Sequence, residues 1–264
     1  GVELVWTPPG EEYEIQPSSD TPVHVFGGKT NQGAESSKGE QSFHGSDQAD
    51  IIDGNTGNDT IHGNGGDDLI ASGIDNDHIE GGSGDDTIWG GDGDDTIKGD
   101  SGDDYLEGGR GDDVIDGGAG SDIIVAGLGD DTLTGGGSET DVNQFHFSFD
   151  DGHTVITDFK VGLDQISIQH EIDPLSVEIY ENDDGYVMMN YGQEATVALE
   201  GVSLSSFQEA AEARAEDGDP IIVISTNPRD ELAQEILVES GFYGDEDPPS
   251  LEVEGIQYGA AAFD

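Results

Sequence analysis

The sequence predicts a mainly β chain: a parallel β-roll of about five coils, closed by a β-rich C-terminal cap and followed by a small α/β tail. Three observations predict it. Asp and Ile or Leu recur every nine residues from Gly45 to Thr134. The 42 glycines among 264 residues are too many for a helical protein. The 32% hydrophobic content is too little for one large conventional core, whereas a repeating solenoid needs only a thin one.

Laid on a ruler of nine, residues 45–134 divide into GSDQADIID, GNTGNDTIH, GNGGDDLIA, SGIDNDHIE, GGSGDDTIW, GGDGDDTIK, GDSGDDYLE, GGRGDDVID, GGAGSDIIV and AGLGDDTLT. The sixth place is Asp in all ten, the eighth is Ile or Leu in all ten, and the fourth is Gly in eight. Each segment predicts a six-residue turn, with glycines supplying positive φ, and then a three-residue strand whose middle aliphatic side chain points inward. Two segments make one 18-residue coil with facing strands, so ten make five coils. Gln48 and Asp75 replace the fourth-place Gly, and Ser72 replaces the first-place Gly of its segment, which predicts the weakest turns there.

The charge names the partner class. Sixty acidic residues against seven basic ones give a net charge of -53. Self-repulsion on that scale excludes nucleic acid and disfavours anionic membranes, and it favours divalent cations. Stacked coils lie about 4.8 Å apart, and calcium–oxygen bonds are about 2.4 Å long, so an ion midway between two turns reaches oxygens of both. Without it, carboxylates at that spacing repel by about 1 kcal/mol each even at the dielectric of water. The chain has no cysteine, which removes disulfides, zinc thiolates and thiol catalysis. No apolar run is long enough to predict a transmembrane segment, and the opening residues GVELVW do not read as a secretory peptide.

The tandem segments resemble the GGxGxDxUx nonapeptide of RTX (repeats-in-toxin, hemolysin-type calcium-binding) proteins, over 90 of the 264 residues. The resemblance implies a calcium-binding β-roll in which sixth-place Asp side chains and main-chain carbonyls of the glycine turns hold Ca2+. Carried over, the carboxylate ligands are Asp50, Asp59, Asp68, Asp77, Asp86, Asp95, Asp104, Asp113, Asp122 and Asp131. The turn carbonyls are those of Gly57, Gly66, Gly84, Gly93, Gly102, Gly111, Gly120 and Gly129. Pairing each segment with the next but one allows at most eight sites, four on each edge, the best of them involving Asp86, Asp95, Asp104, Asp113 and Asp122. The fifth-place Asp67, Asp85, Asp94, Asp103, Asp112 and Asp130 are predicted to face water.

Outside the repeats, residues 1–44 predict an N-terminal strand and loop cap, with strand-like Val2–Trp6 and Val23–Phe26 and a loop at 29–41. In residues 135–204, VNQFHFSFDDGHTVITDFKVGLDQISI resembles the segment closing the roll in serralysin-type proteases, with Phe145, Phe147 and Phe149 laying an aromatic face over the last coil. Asp158 and Asp164 there suit a further ion or a turn. Residues 177–204 then alternate as a meander with turns at 182–185 and 191–193. Residues 205–264 predict a helix over 205–216, a strand over 221–225, a second helix over 229–239, and an ending that resembles an RTX export tail read by type I secretion machinery.

No HExxH or GxSxG is present, and GDSGD at 99–103 lies in register with its neighbouring repeats, so the chain is predicted to be non-enzymatic. Asp-Pro bonds follow Asp173, Asp219 and Asp247. They raise calcium-dependent self-processing of the kind some RTX proteins resemble one another in, although Asp-Pro also simply begins turns. Two functional classes follow from the resemblance. One is a secreted surface, matrix or adhesion scaffold that folds on calcium after type I export. The other is the folding and secretion module of an exoenzyme. The outward places show no regular aromatic stripe that would name a surface ligand.

Overall fold

The computed structural model describes residues 3–6, 14–15, 23–26, 40–148, 151–169, 177–191, 195–217 and 222–225. In chain order the strands are β1 (Glu3–Trp6), β2 (Glu14–Ile15), β3 (Val23–Phe26), β4 (Ser42–His44), β5 (Ile51–Asp53), β6 (Thr60–Gly65), β7 (Leu69–Ile74), β8 (His78–Ser83), β9 (Thr87–Asp92), β10 (Thr96–Ser101) and β11 (Tyr105–Arg110). They continue with β12 (Val114–Asp116), β13 (Ile123–Leu128), β14 (Thr132–Thr134), β15 (Gln144–Phe147), β16 (His153–Ile156), β17 (Gln165–Gln169), β18 (Glu178–Glu181), β19 (Val187–Asn190) and β20 (Thr196–Leu199). Helix α1 (Leu204–Asp217) and strand β21 (Ile222–Ser225) follow.

Successive strands alternate between two facing sheets. The odd strands from β1 to β17 and then β21 form a ten-stranded parallel sheet, the first sheet. The even strands from β2 to β16 stack in parallel in the second, which β20, β19 and β18 complete, the last two antiparallel. The register steps by 18 residues, so Ile70, Ile88, Leu106 and Ile124 stack in the first sheet and Ile61, Ile79, Ile97, Ile115 and Leu133 in the second. All nine are completely buried. The interior is therefore a double file of single aliphatic side chains, each contributing about 1.5–3 kcal/mol on burial.

Two expectations are corrected. Most strands in the repeats are six residues long, not three, because places one to three of the following segment also run extended before the chain turns. The roll is also longer than five coils. β3 and β4 stack on β5 and β6, and β15 and β16 stack on β13 and β14, so residues expected to cap the roll extend it instead. The stack needs only an apolar side chain in the inward place, and Phe43 and Phe145 supply it without the nonapeptide around them.

The C-terminal end closes on aromatic rings, with Phe145 against Phe159, Phe147 against Tyr191, and Phe207 of α1 against Phe159. The Ser203 carbonyl and hydroxyl accept the Phe207 and Ser206 N–H groups and start α1. The meander, its 182–185 turn, the first helix and the last strand fall where the sequence predicted them. Phe149, the 229–239 helix, the export-like ending and all three Asp-Pro bonds lie outside the described residues. No described helix is long and apolar enough to cross a membrane.

Ile97→Ala, in the middle of the second sheet's file, is expected to cost about 2–4 kcal/mol, whereas Val114→Ala, on an outward place 49% exposed, stays within about 0.5 kcal/mol. Urea unfolding in saturating calcium measures both.

Candidate metal centre

Each sixth-place Asp follows the turn and begins the next pass inward. All ten are buried, with exposures of 0–4%. Their carboxylates stack in two ladders along the edges of the roll. On one edge the N–H groups of Asp50, Asp68, Asp86 and Asp104 donate to Oδ1 of the Asp 18 residues on, at 2.7–3.0 Å. On the other, Asp59, Asp77, Asp95 and Asp113 do the same at 2.7–2.9 Å. Beyond the repeats Asn143 accepts from Asp122, and Asp164 accepts from Asn143, so the first ladder runs past its last Asp.

These bonds use one carboxylate oxygen. The other, Oδ2, is buried without a hydrogen-bond partner in Asp59, Asp68, Asp77, Asp86, Asp95, Asp104, Asp113, Asp122 and Asp131. An unpaired buried anionic oxygen costs several kcal/mol unless it is protonated or meets a cation. Burial, with neighbouring carboxylates adding to it, accordingly pushes Asp104 and Asp113 up to about 8. Asp50 is the exception: its two oxygens take the Ser46 N–H and hydroxyl, within the turn where Gln48 replaces Gly.

The first-place glycines answer to this carboxylate. A Cβ on Gly81 would lie 2.4 Å from Asp86 Oδ2 and 2.9 Å from the Gly99 carbonyl oxygen of the next coil, so no side chain fits without displacing one of them. The fourth-place glycines answer to backbone instead. Gly102 has φ +141°, and a Cβ there would meet the Gly84 carbonyl oxygen at 1.8 Å. Asp75 holds the same kind of conformation, φ 85°, at strain a Gly would not incur. Ser72, in a first place, is fully buried and donates its hydroxyl to the Gly90 carbonyl.

The fifth-place aspartates form a separate, exposed ladder running the other way, as in Asp103 N–H to Asp85 and Asp112 N–H to Asp94. Asp158 accepts the Gly135 and Gly136 N–H groups, and both oxygens of Asp164 are bonded, to Asn143 and Lys160, so these two close turns. Among the described residues no three His, Cys, Asp or Glu side chains gather into a metal cluster. A hard cation that takes 6–8 oxygens therefore has to draw on main-chain carbonyls beside the orphaned Oδ2 atoms. An all-oxygen donor set of carboxylate and carbonyl fits calcium and does not fit zinc or copper.

The RTX calcium-binding nonapeptide repeat (4 copies) matches residues 44–79, 72–106 and 98–133. Residues 44–133 are an RTX repeat array. The RTX roll binds Ca2+, and the bare oxygens stand in its turns. No curated protein matches the chain. Among solved structures, the extracellular lipase LipA from Serratia marcescens is similar at 22% identity and a TM-score of 0.40, over 78% of this chain and 42% of the lipase. The AlgE6R3 subunit of the Azotobacter vinelandii mannuronan C5-epimerase is similar at 21% identity and a TM-score of 0.35, over 72% of this chain and 93% of that one.

The raised carboxyls fix a pH dependence. Groups that ionise near 3.8 when unfolded and near 6–8 when folded bind more protons in the calcium-free roll. Protonation therefore supports the calcium-free fold below about pH 4, and that support is lost as the pH rises through 6–8. In chelator, the β-structure read by far-UV circular dichroism should fall from pH 5 to pH 8. In calcium the slope should reverse, because protons displace the ion.

Proposed function

We propose that this chain is the calcium-triggered folding module of an exported protein, serving outside the cell as a structural scaffold. The observation that carries the reading is the set of nine buried carboxylate oxygens with no partner among the described residues. Their proposed partners are Ca2+ ions lying between successive turns, held by sixth-place Asp Oδ2 atoms and by the carbonyls of the fourth-place glycines. Neighbours 18 residues apart among those nine Asp make three sites on one edge and four on the other. Asp50, turned onto Ser46, adds none.

The energetics favour a switch. At tenfold above its dissociation constant each ion adds about 1.4 kcal/mol to the folded state, so several sites together approach the 5–15 kcal/mol that separates a typical domain from its unfolded chain. At low calcium, like charge holds the coils apart and the chain stays open for export. At the calcium levels that weak extracellular sites require, the ladders are neutralised and the coils stack. In a longer exported enzyme the same roll performs the same step.

A far-UV circular dichroism titration should show a cooperative gain of β-structure with calcium and none with magnesium at equal concentration, since magnesium sheds its water reluctantly. A full β spectrum in chelator at pH 8 would sink the proposal. Asp104→Asn keeps an oxygen for the Asp86 N–H and removes the charge, and should weaken its two flanking sites by about tenfold each, about 1.4 kcal/mol. Asp103→Asn, on the exposed ladder, should leave the titration unchanged.

A further inference from the structure

The first ladder crosses from the repeats into the cap, and its chemistry changes at the crossing. Asp122 donates its N–H to Asn143 Oδ1 at 2.9 Å, as Asp86 and Asp104 donate to the next Asp. Asn143 therefore stands where a sixth-place Asp would, and its other side-chain atom takes the position of the bare oxygen. A Cβ on Gly117 would meet Asp122 Oδ2 at 2.4 Å, and a Cβ on Gly135, one coil on, would meet Asn143 Nδ2 at 2.4 Å. Where the repeats leave an acceptor, this coil presents an amide nitrogen, buried and without a hydrogen-bond partner. Turning the amide over would set its NH2 against the Asp122 N–H and leave that buried donor unpaired, at a cost of about 1–3 kcal/mol. As it stands, the amide points hydrogens into the gap and offers no oxygen to a hard cation. The next member, Asp164, spends its two oxygens on the N–H groups of Asn143 and Lys160. The donor set that fits calcium between the repeats does not fit it here.

A cation is nevertheless present. Lys160 is half-buried and donates from Nζ to the carbonyl of Gly136, which stacks on Gly118 of the preceding coil. Asp158 accepts the N–H groups of Gly135 and Gly136 at 2.8 Å, so the Gly136 N–H and C=O are both held by the same segment. The carboxylates that feel the ammonium are Asp122, Asp141 and Asp164. Burial pushes the Asp122 carboxyl up to about 6, and the Lys160 charge opposes that rise. No other raised sixth-place carboxyl has a lysine or arginine acting on it among the described residues.

We propose that Lys160 is a tethered counter-ion: its ammonium and the Asn143 amide take the place of Ca2+ at the step from Asp122 to Asn143. The metal array on this edge then ends at the step from Asp104 to Asp122, although the hydrogen-bonded ladder runs on to Asp164. An ammonium carried by the chain is always beside its gap, whereas an ion's contribution follows the calcium concentration. This step therefore closes without calcium. The inference rests on the calcium reading above for the ions in the repeats; the tie between Lys160 and the 135–136 turn does not.

The test uses the full chain in calcium, with ions counted by native mass spectrometry and placed by anomalous diffraction. The unsubstituted protein should hold no calcium between Asp122 and Asn143. Asn143→Asp with Lys160→Met supplies a carboxylate and removes the ammonium, and should bind one additional ion at that step. Asn143→Asp alone keeps the ammonium and should bind none, which leaves the claim testable where the double variant does not fold. Calcium at this step in the unsubstituted protein, a folded double variant with no added ion, or an added ion in Asn143→Asp alone overturns the proposal. Hydrogen exchange gives a second readout. Lys160→Met should speed exchange of the Gly136 and Asn143 amides about tenfold, and Lys98→Met, on the second sheet, should leave them unchanged. Equal exchange in the two variants overturns the tether. Repeats empty of ions, with the exchange contrast intact, would overturn the calcium-triggered reading and leave the Lys160 tie standing.

Discussion

The structure depends on a carboxylate turned inward at every ninth residue. One oxygen of every sixth-place Asp except Asp50 accepts the N–H of the residue 18 earlier, which fixes the coil spacing and register. The other oxygen is left bare in a place that water does not reach. Much of the roll follows from that asymmetry. Glycine fills eight of the ten first places because Oδ2 and a carbonyl occupy the space of a side chain, Ser72 and Ala126 being the exceptions. Stacking is opposed by charge in the absence of a cation, and a divalent ion is the partner that both neutralises the ladder and accepts the neighbouring carbonyls.

The aliphatic file and the carboxylate ladders act against one another. Single Ile and Leu side chains line a thin interior, and the net gain of such burial over chain entropy is small in any domain. Against it stand nine buried anions, any one of which carries a desolvation cost comparable with the contribution of one Ile. The exposed fifth-place ladder has no such conflict, since its carboxylates remain in water and donate nothing to the burial problem. Adjacent aspartates in the same turn thus have opposite consequences, set only by which way the backbone points them.

The periodicity made the roll, its inward Ile and Leu and its buried Asp legible, because a solenoid imposes one environment on each place of the repeat. What stayed hidden lacked that repetition. Phe145 continues the interior, and Asn143 and Asp164 continue a ladder, with spacings of 21 residues in place of 18. Backbone stacking tolerates such changes, and a ruler of nine does not register them. The glycines were read as sources of positive φ, which holds for Gly102, whereas Gly81 is demanded by a side chain five residues away, a cause that sequence does not display.

The most direct test of the account is long-wavelength anomalous diffraction from crystals grown in calcium. The account predicts ions between successive turns on both edges, each about 2.3–2.6 Å from Oδ2 of sixth-place aspartates such as Asp86, Asp95, Asp104 and Asp113, and none beside Asp50. Ions held by the exposed fifth-place carboxylates, with Oδ2 protonated or bonded to water, would contradict it.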